Sequence, residues 1–293
     1  MISCHMKIFY GMNLNKLVIG GAQLGMTYGN RKIKMNKKEI LRFLKFSLKN
    51  KIKFIDIAQS YGNIESIIGK FSIRNKLKII TKISNYEKIN FFEIQNSIKS
   101  SLIRLGIKKI HYLMFHDFKV YKKIRAIDMS KLAKIKNIFY TKLGVSVYTP
   151  EEFLICCKDK NIDFVQIPFN IIDYRWKNID FIKIKKKYHI QIHVRSIFLK
   201  GSLLKNFNKI PIKNIDKNKI KIILKTTLKK NQSMLGFCLN FIISKKWVDK
   251  IVIGFNSINQ LKEILKLDYY KVKIDQTKFS FLPKKALMPK YWF

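Results

Sequence analysis

The chain has 293 residues, 47% of them hydrophobic and 13% aromatic, with only 12 Gly and 5 Pro. That composition excludes a disordered or fibrous protein and is enough to bury a large apolar core. Its formal net charge of +42, from 60 Lys and Arg against 18 Asp and Glu, makes a polyanion such as nucleic acid the first partner to weigh. Lysines fall on nearly every expected element, however, whereas a nucleic-acid module gathers them on one face with Arg forks and stacking aromatics. Ile and Asn are abundant too and share AT-rich codons with Lys, so composition bias accounts for much of the charge and no specific nucleic-acid partner is expected.

Residues 1–15 read as an N-terminal extension, since the first strand signal begins at Lys16. From there apolar runs alternate with amphipathic stretches. A strand over 16–20 is followed by a helix over 36–50, a strand over 52–57, a short helix over 64–71, a strand over 77–82 and a helix over 91–105. Next come a strand over 110–115, a helix over 130–137 and a strand over 142–146. The following helix opens at Pro150, with Thr149 placed as N-cap before proline at the first helical position. A strand over 164–168, a helix over 178–188 and a strand over 190–194 follow. Helical stretches over 217–229 and 233–244 lead to a last strand over 250–253 and a helix over 258–267.

Eight strands, each followed by helical sequence, over roughly ~250 residues are what a (β/α)₈ TIM barrel of the α/β class requires. Continuous rather than alternating apolar strands mark a parallel sheet covered on both faces. An open doubly wound sheet would share this local pattern, but Gly20-Gly21-Ala22-Gln23-Leu24-Gly25 lacks the spacing of its phosphate turn. No linker-like stretch interrupts the series, so a single barrel over 16–270 with a C-terminal tail over 271–293 is expected.

Cys4, Cys156, Cys157 and Cys238 have no metal-ligand spacing, and an adjacent pair on a helix cannot form a framework disulfide without strain. They read as small core residues of a reducing compartment, and no metal site is expected. No apolar run approaches the ~18 residues that span a bilayer, and no signal-peptide core precedes a small-residue cleavage site. A cytoplasmic protein without a membrane partner is the expectation.

Four polar residues carry the chemistry. Asp56, Tyr61, Lys82 and His116 sit at or just past the ends of the second, third and fourth strands, where active sites of such barrels are built. Reducing a carbonyl requires a hydride donor and a proton donor for the alkoxide that forms. A phenol with an ordinary pKa of about 10 is a poor donor or acceptor near neutrality. A neighbouring ammonium is expected to lower that value, and a carboxylate paired to the ammonium to fix its position. An imidazole donating to the carbonyl oxygen would orient the substrate. Singly, each residue has a bland structural rival; in order on successive strand ends they point to a site. Of the other histidines, His111, His189 and His193 read as structural, with their polar atoms satisfied.

These residues and their surroundings resemble the aldo-keto reductase family. The resemblance spans 16–267 and rests on Leu17-Val18-Ile19-Gly20-Gly21-Ala22-Gln23-Leu24-Gly25, on Phe54-Ile55-Asp56-Ile57-Ala58-Gln59-Ser60-Tyr61-Gly62 with Glu65 and Gly69, on Ile80-Thr81-Lys82, and on Ser101-Leu102-Ile103-Arg104-Leu105-Gly106 leading to Leu113-Met114-Phe115-His116. It implies a barrel that binds NADPH or NADH without a Rossmann turn, Tyr61 as acid/base, Lys82 and Asp56 as its tuning pair, and His116 as the orienting residue. The implied cofactor positions are Ser146, Gln166, Arg195, Gly254, Gln260 and Glu263. Three departures stand out. Val147 follows Gly144-Val145-Ser146 where the family has Asn, Arg195 falls where an aromatic often stacks on the nicotinamide, and Gln260 replaces an Arg that often grips the 2′-phosphate.

The resulting expectation is an NAD(P)H-dependent oxidoreductase that reduces an aldehyde, ketone or sugar carbonyl, with an anionic or sugar-derived substrate favoured by the charge. The alternative is a catalytically silent nicotinamide-nucleotide-binding scaffold or regulatory subunit. Substrate specificity is expected in the loops over 29–35 and 118–129 and in the tail over 275–293, whose Phe279, Phe281, Tyr291 and Trp292 either line the mouth or cover the barrel.

Overall fold

The computed structural model describes residues 13–26, 35–84, 90–205, 215–229, 232–288 and 292. Within them lies a closed barrel of eight parallel strands in chain order. The strands are β1 (Leu17–Gly20), β2 (Phe54–Asp56), β3 (Lys78–Ile83), β4 (Ile110–Phe115), β5 (Tyr140–Ser146), β6 (Phe164–Pro168), β7 (Gln191–Arg195) and β8 (Lys250–Gly254). Pairing of β1 with β8 closes the ring and sets Gly20 beside Gly254. The outer layer comprises α1 (Ala22–Gly25), α2 (Lys37–Lys49), α3 (Ile64–Gly69), α4 (Phe91–Leu105), α5 (Phe118–Ile127), α6 (Met129–Ile135), α7 (Pro150–Cys157), α8 (Phe181–Tyr188), α9 (Ser202–Lys205), α10 (Lys217–Thr227), α11 (Met234–Ile243) and α12 (Ile258–Leu265).

Strand parity explains the whole design. One set of alternating residues, among them Leu17, Ile19, Ile55, Ile79 and Leu113, faces the helices and joins the main apolar core. The other set faces the barrel axis, where Val18, Phe54, Ile80, Met114 and Phe164 form a separate interior cluster. Gly144 on β5 makes room for it, because a Cβ there would sit 2.4 Å from the Phe164 ring. Continuing along the inward set toward the carboxyl ends brings Asp56, Lys82, Ser146, Gln166 and Arg195 to one mouth of the barrel.

Helix ends follow local chemistry. Asn36 and Glu39 form a reciprocal capping box on α2, and Thr149 with Glu152 does the same on α7 with Pro150 at the first turn. Asp180 accepts from the Lys183 amide, so α8 starts at Phe181 rather than at 178. One expectation is corrected. The stretch after β4 is not a specificity loop, because residues 118–127 form α5, capped by Asp117 and burying Val120, Tyr121 and Ile124. The expected loop over 29–35 falls outside the described residues except for Met35.

The tail packs. Gln276 Nε2 donates to the carbonyls of Asn170 (2.7 Å) and Asp173 (3.0 Å), and the Tyr174 hydroxyl donates to Leu282 O at 2.9 Å. Phe279 and Trp292 are buried, while Tyr291 lies outside the described residues. Cys156, Cys157 and Cys238 are free thiols in the core. Burial raises all three, Cys157 to about 12, as expected of inert packing residues. Cys4 is outside the described residues. No described helix is long and apolar enough to cross a membrane.

His193 departs from the expectation of a satisfied structural histidine. It is fully buried inside the barrel, stacked on Phe164 (4.6 Å) and Tyr112 (5.6 Å), and neither ring nitrogen has a hydrogen-bond partner among the described residues. Burial, and then Lys250, Lys142 and Lys185, hold its imidazole well below the ordinary range. A histidine whose folded pKa is depressed contributes stability that is complete above about pH 6.5, its unfolded value, and falls as pH drops toward the folded value. The slope is about 1.4 kcal/mol per pH unit for each such group. His116, held at about 3 by burial with Lys82 and Arg195, acts in the same direction. Urea midpoints should therefore fall from pH 7 to pH 5, and His193→Phe, which keeps the ring stack, should make that fall shallower without abolishing it, because His111 is lowered too.

Candidate active site

Two glycines set the position of Tyr61. Gly62 has φ +60°, open to glycine without strain, and a Cβ there would lie 2.5 Å from Gly25 O. A Cβ on Gly25 would in turn meet Tyr61 O at 2.0 Å. The turns after β1 and β2 thus press backbone to backbone, and the Tyr61 ring is delivered over the barrel mouth. Beneath it, a buried network ties this turn to the helices. Gln59 Nε2 donates to Ser97 Oγ (2.6 Å) and Ser101 Oγ (2.8 Å), and Glu65 accepts from Thr81 Oγ1 (2.6 Å) and Arg104 Nε (2.8 Å). Gln59, Glu65 and Arg104 in the family-like motifs thereby have a structural role.

The tetrad is assembled. Lys82 Nζ donates to Asp56 Oδ1 in a close ion pair, with side chains 2% and 5% exposed, and also to Ile57 O at 3.1 Å. Gln166 Nε2 donates to the other Asp56 oxygen at 2.8 Å. The Tyr61 hydroxyl lies 3.5 Å from His116 Nε2, with the two rings edge to face at 5.5 Å. Lys82 Nζ sits 4.9 Å from the centre of the Tyr61 ring. Ser60 Oγ (3.3 Å) and Ser84 Oγ (3.5 Å) approach His116 Nδ1. A hydroxyl that donates to Nδ1 leaves the imidazole proton on Nε2, facing Tyr61.

The electrostatics correct one expectation. Tyr61 is raised above the ordinary tyrosine range, by burial first and Asp56 second, and this outweighs the lowering by Arg195. Lys82 is paired with Asp56, and burial together with the Asp56 charge keeps the phenol from being brought toward neutrality. Tyr61 is therefore held as a protonated donor, beside a His116 held neutral.

The implied cofactor positions divide. Ser146 is buried at the tip of β5, directly paired with Gln166 on β6. The Arg195 guanidinium stacks at 4.3 Å on Tyr148 and donates to Val147 O at 3.1 Å, so Val147 serves through its carbonyl and Tyr148 joins the mouth. Gly254 is covered by Gln23, whose amide a Cβ there would meet at 2.0 Å. Gln260 Oε1 accepts from the Asn256 amide at 2.8 Å, and Glu263 is exposed on α12, its carboxylate without a hydrogen bond or ion pair among the described residues. Gln260 and Glu263 thus stand apart from the tetrad. Sequence reasoning missed Gln23, Ser60, Ser84 and Tyr148; for Ser60 and Tyr148 the signal was adjacency to Tyr61 and to Val147. Surface hollows of about 500 and 480 Å³ share no residue with this cluster. No group of described His, Cys, Asp and Glu residues could hold a metal ion.

Comparison with known proteins agrees with this architecture. The profile of the Aldo/keto reductase family matches residues 16–285. Among solved structures, PA4992 of Pseudomonas aeruginosa, assigned to the aldo-keto reductases, superposes with a TM-score of 0.66 at 15% identity, covering 90% of this chain and 97% of its own. The aldo-keto reductase AKR11C1 from Bacillus halodurans, in its holo form, gives 0.66 at 17% identity over 93% and 91%. The glycerol dehydrogenase AKR11B4 from Gluconobacter oxydans gives 0.62 at 16% over 97% and 94%. No curated protein matches the sequence. With the family profile spanning nearly the whole chain and a closed eight-stranded barrel beneath it, the protein belongs to the aldo/keto reductase family of oxidoreductases.

Proposed function

We propose that the protein is an NAD(P)H-dependent reductase of aldehydes, ketones or open-chain sugar carbonyls, in which Tyr61 is the proton donor. The carrying observation is the contact of a protonated phenol, a neutral imidazole and a clamped ammonium–carboxylate pair at one barrel mouth. When bound, the nicotinamide nucleotide supplies the hydride. An alkoxide is far more basic than a phenolate, so the Tyr61 hydroxyl gives its proton to the alkoxide oxygen despite its raised pKa. His116 orients the carbonyl oxygen through Nε2–H. Lys82, fixed over the ring by Asp56, and Arg195 offset the charge left on Tyr61.

The residues fit such a nucleotide. Gln166 uses one amide proton on Asp56 and its oxygen accepts no hydrogen bond among the described residues, leaving an acceptor beside Ser146 for a carboxamide. α12 opens after Gly254 with Ser257 as N-cap, a helix end that favours phosphate. Arg195, Gln260 and Glu263 complete the set, with Arg195 presenting a planar face and Gln260 held by the Asn256 amide.

Titration with NADPH and NADH, followed by reduced-nicotinamide fluorescence, tests the reading. Both should bind saturably, and affinities should differ by less than about tenfold, one charge-assisted contact's worth, because no Arg replaces Gln260. Binding of neither ends the proposal. Binding without oxidation by any aldehyde, ketone or sugar leaves a silent scaffold.

A further inference from the structure

The opposite mouth of the barrel, at the amino ends of the strands, carries a second polar assembly that carbonyl reduction does not use. There the inward parity brings Lys78 from β3, Lys142 from β5 and Lys250 from β8 around Phe54 and Tyr112. Lys78 and Lys250 both lie over the Phe54 ring, at 5.4 and 3.7 Å from its centre. Lys142 lies 5.4 Å over Tyr112, whose ring contacts that of Phe54 at 5.6 Å. Three ammonium groups therefore surround two touching rings. Lys78 lies four positions before Lys82 on β3, about 13 Å of extended strand, so this end is distinct from the candidate active site.

The charges are only partly compensated: Asp163 and Asp249 attract Lys142, and Asp249 attracts Lys250, without pairing with either. The two acids at the rim are already occupied: Asp163 accepts from Lys136 (2.7 Å) and the Leu143 amide (2.7 Å), Asp249 from Lys185 (2.7 Å) and the Ile192 amide (2.8 Å). None of the three inner lysines has a carboxylate partner among the described residues, and Lys250 donates only to Asn15 O. Burial, and then repulsion from Lys78, holds Lys250 down at about 8; Lys142 is lowered as well, again by burial first. Just inside lies His193, fully buried with both ring nitrogens unpartnered among the described residues, and at the rim the Tyr112 hydroxyl donates to Gln191 Oε1 at 3.2 Å. Lysines that merely snorkelled would spread their heads into solvent. Here the ammonium groups themselves lie over two touching rings.

We propose that this amino-terminal mouth is an oxyanion site that takes a phosphate group between Lys78, Lys142 and Lys250. Lysine ammoniums bind phosphate as point charges, and three gathered over two touching rings at one mouth offer such a group several partners. Occupancy relieves the repulsion among them, so the ligand acts on barrel stability rather than on the carbonyl.

The test is thermal unfolding of the full chain in potassium phosphate against potassium chloride at matched ionic strength. Phosphate should raise Tm saturably by roughly a few degrees. The K142Q/K250Q variant, compared with its own midpoint in chloride, should lose the phosphate increment. K122Q/K123Q, on the exposed face of α5, should keep it. If the double variant does not fold, K78Q at an exposed position serves instead, and its phosphate midpoint should rise about tenfold. No specific rise in the parent would overturn the proposal. So would a rise that survives K142Q/K250Q, or an unmoved K78Q midpoint, since phosphate would then be acting at the nucleotide end or on the general surface.

Discussion

Tyr61→Phe is expected to fold, to bind reduced nicotinamide nucleotide as the parent does, and to lose carbonyl reduction by about 10²- to 10⁴-fold, the usual worth of a positioned proton donor. The ring remains to meet Lys82 at 4.9 Å and the imidazole edge at 5.5 Å, so packing survives while the hydroxyl facing His116 Nε2 is gone. His116 cannot take over as acid, because its pKa lies near 3 and the imidazole is neutral throughout the working range. Single-turnover oxidation of bound NADPH by a saturating aldehyde isolates this step from binding. Turnover within about threefold of the parent would remove Tyr61 from the mechanism. The raised Tyr61 also predicts the pH profile. Reduction should stay flat through neutrality and decline only in strong alkali, where the phenol finally loses its proton.

Asp56→Asn should be the most damaging single change to stability. The carboxylate holds the Lys82 ammonium with one oxygen and the Gln166 amide with the other, and both charged side chains are almost wholly buried. Removing one partner strands the other charge in the barrel interior, at a cost of about 3–5 kcal/mol. Urea unfolding of the parent, Asp56→Asn and Asp56→Asn with Lys82→Met measures it. The double variant should recover at least half of the loss, since no unpaired ammonium remains, although both variants should be inactive. If the double variant is no more stable than the single, the pair does not carry the stability ascribed to it.

Much of the barrel was legible because its causes are local. Continuous apolar runs such as 110–115 and 164–168 can form only doubly covered strands, and β4 and β6 occupy those same residues. Thr149 before Pro150 and Asn36 before Glu39 carry their own helix starts. The stretch over 118–127 was misread as a loop because Lys119, Lys122, Lys123 and Arg125 obscure its apolar side. It becomes helix α5 when Val120, Tyr121 and Ile124 dock against the barrel.

What the sequence by itself determined was the strand series and the delivery of Asp56, Tyr61, Lys82 and His116 to its carboxyl ends, because a period-two backbone dictates which side chains face inward. Only the tertiary structure decided what those side chains are chemically. It raised the Tyr61 pKa rather than lowering it, turned Arg195 onto Tyr148, bound Gln260 to a backbone amide and left the His193 ring nitrogens without a partner among the described residues. The reason is that burial and charge are sums over neighbours brought from distant parts of the chain. Lys82 meets Asp56 across 26 residues and Gln166 meets it across 110.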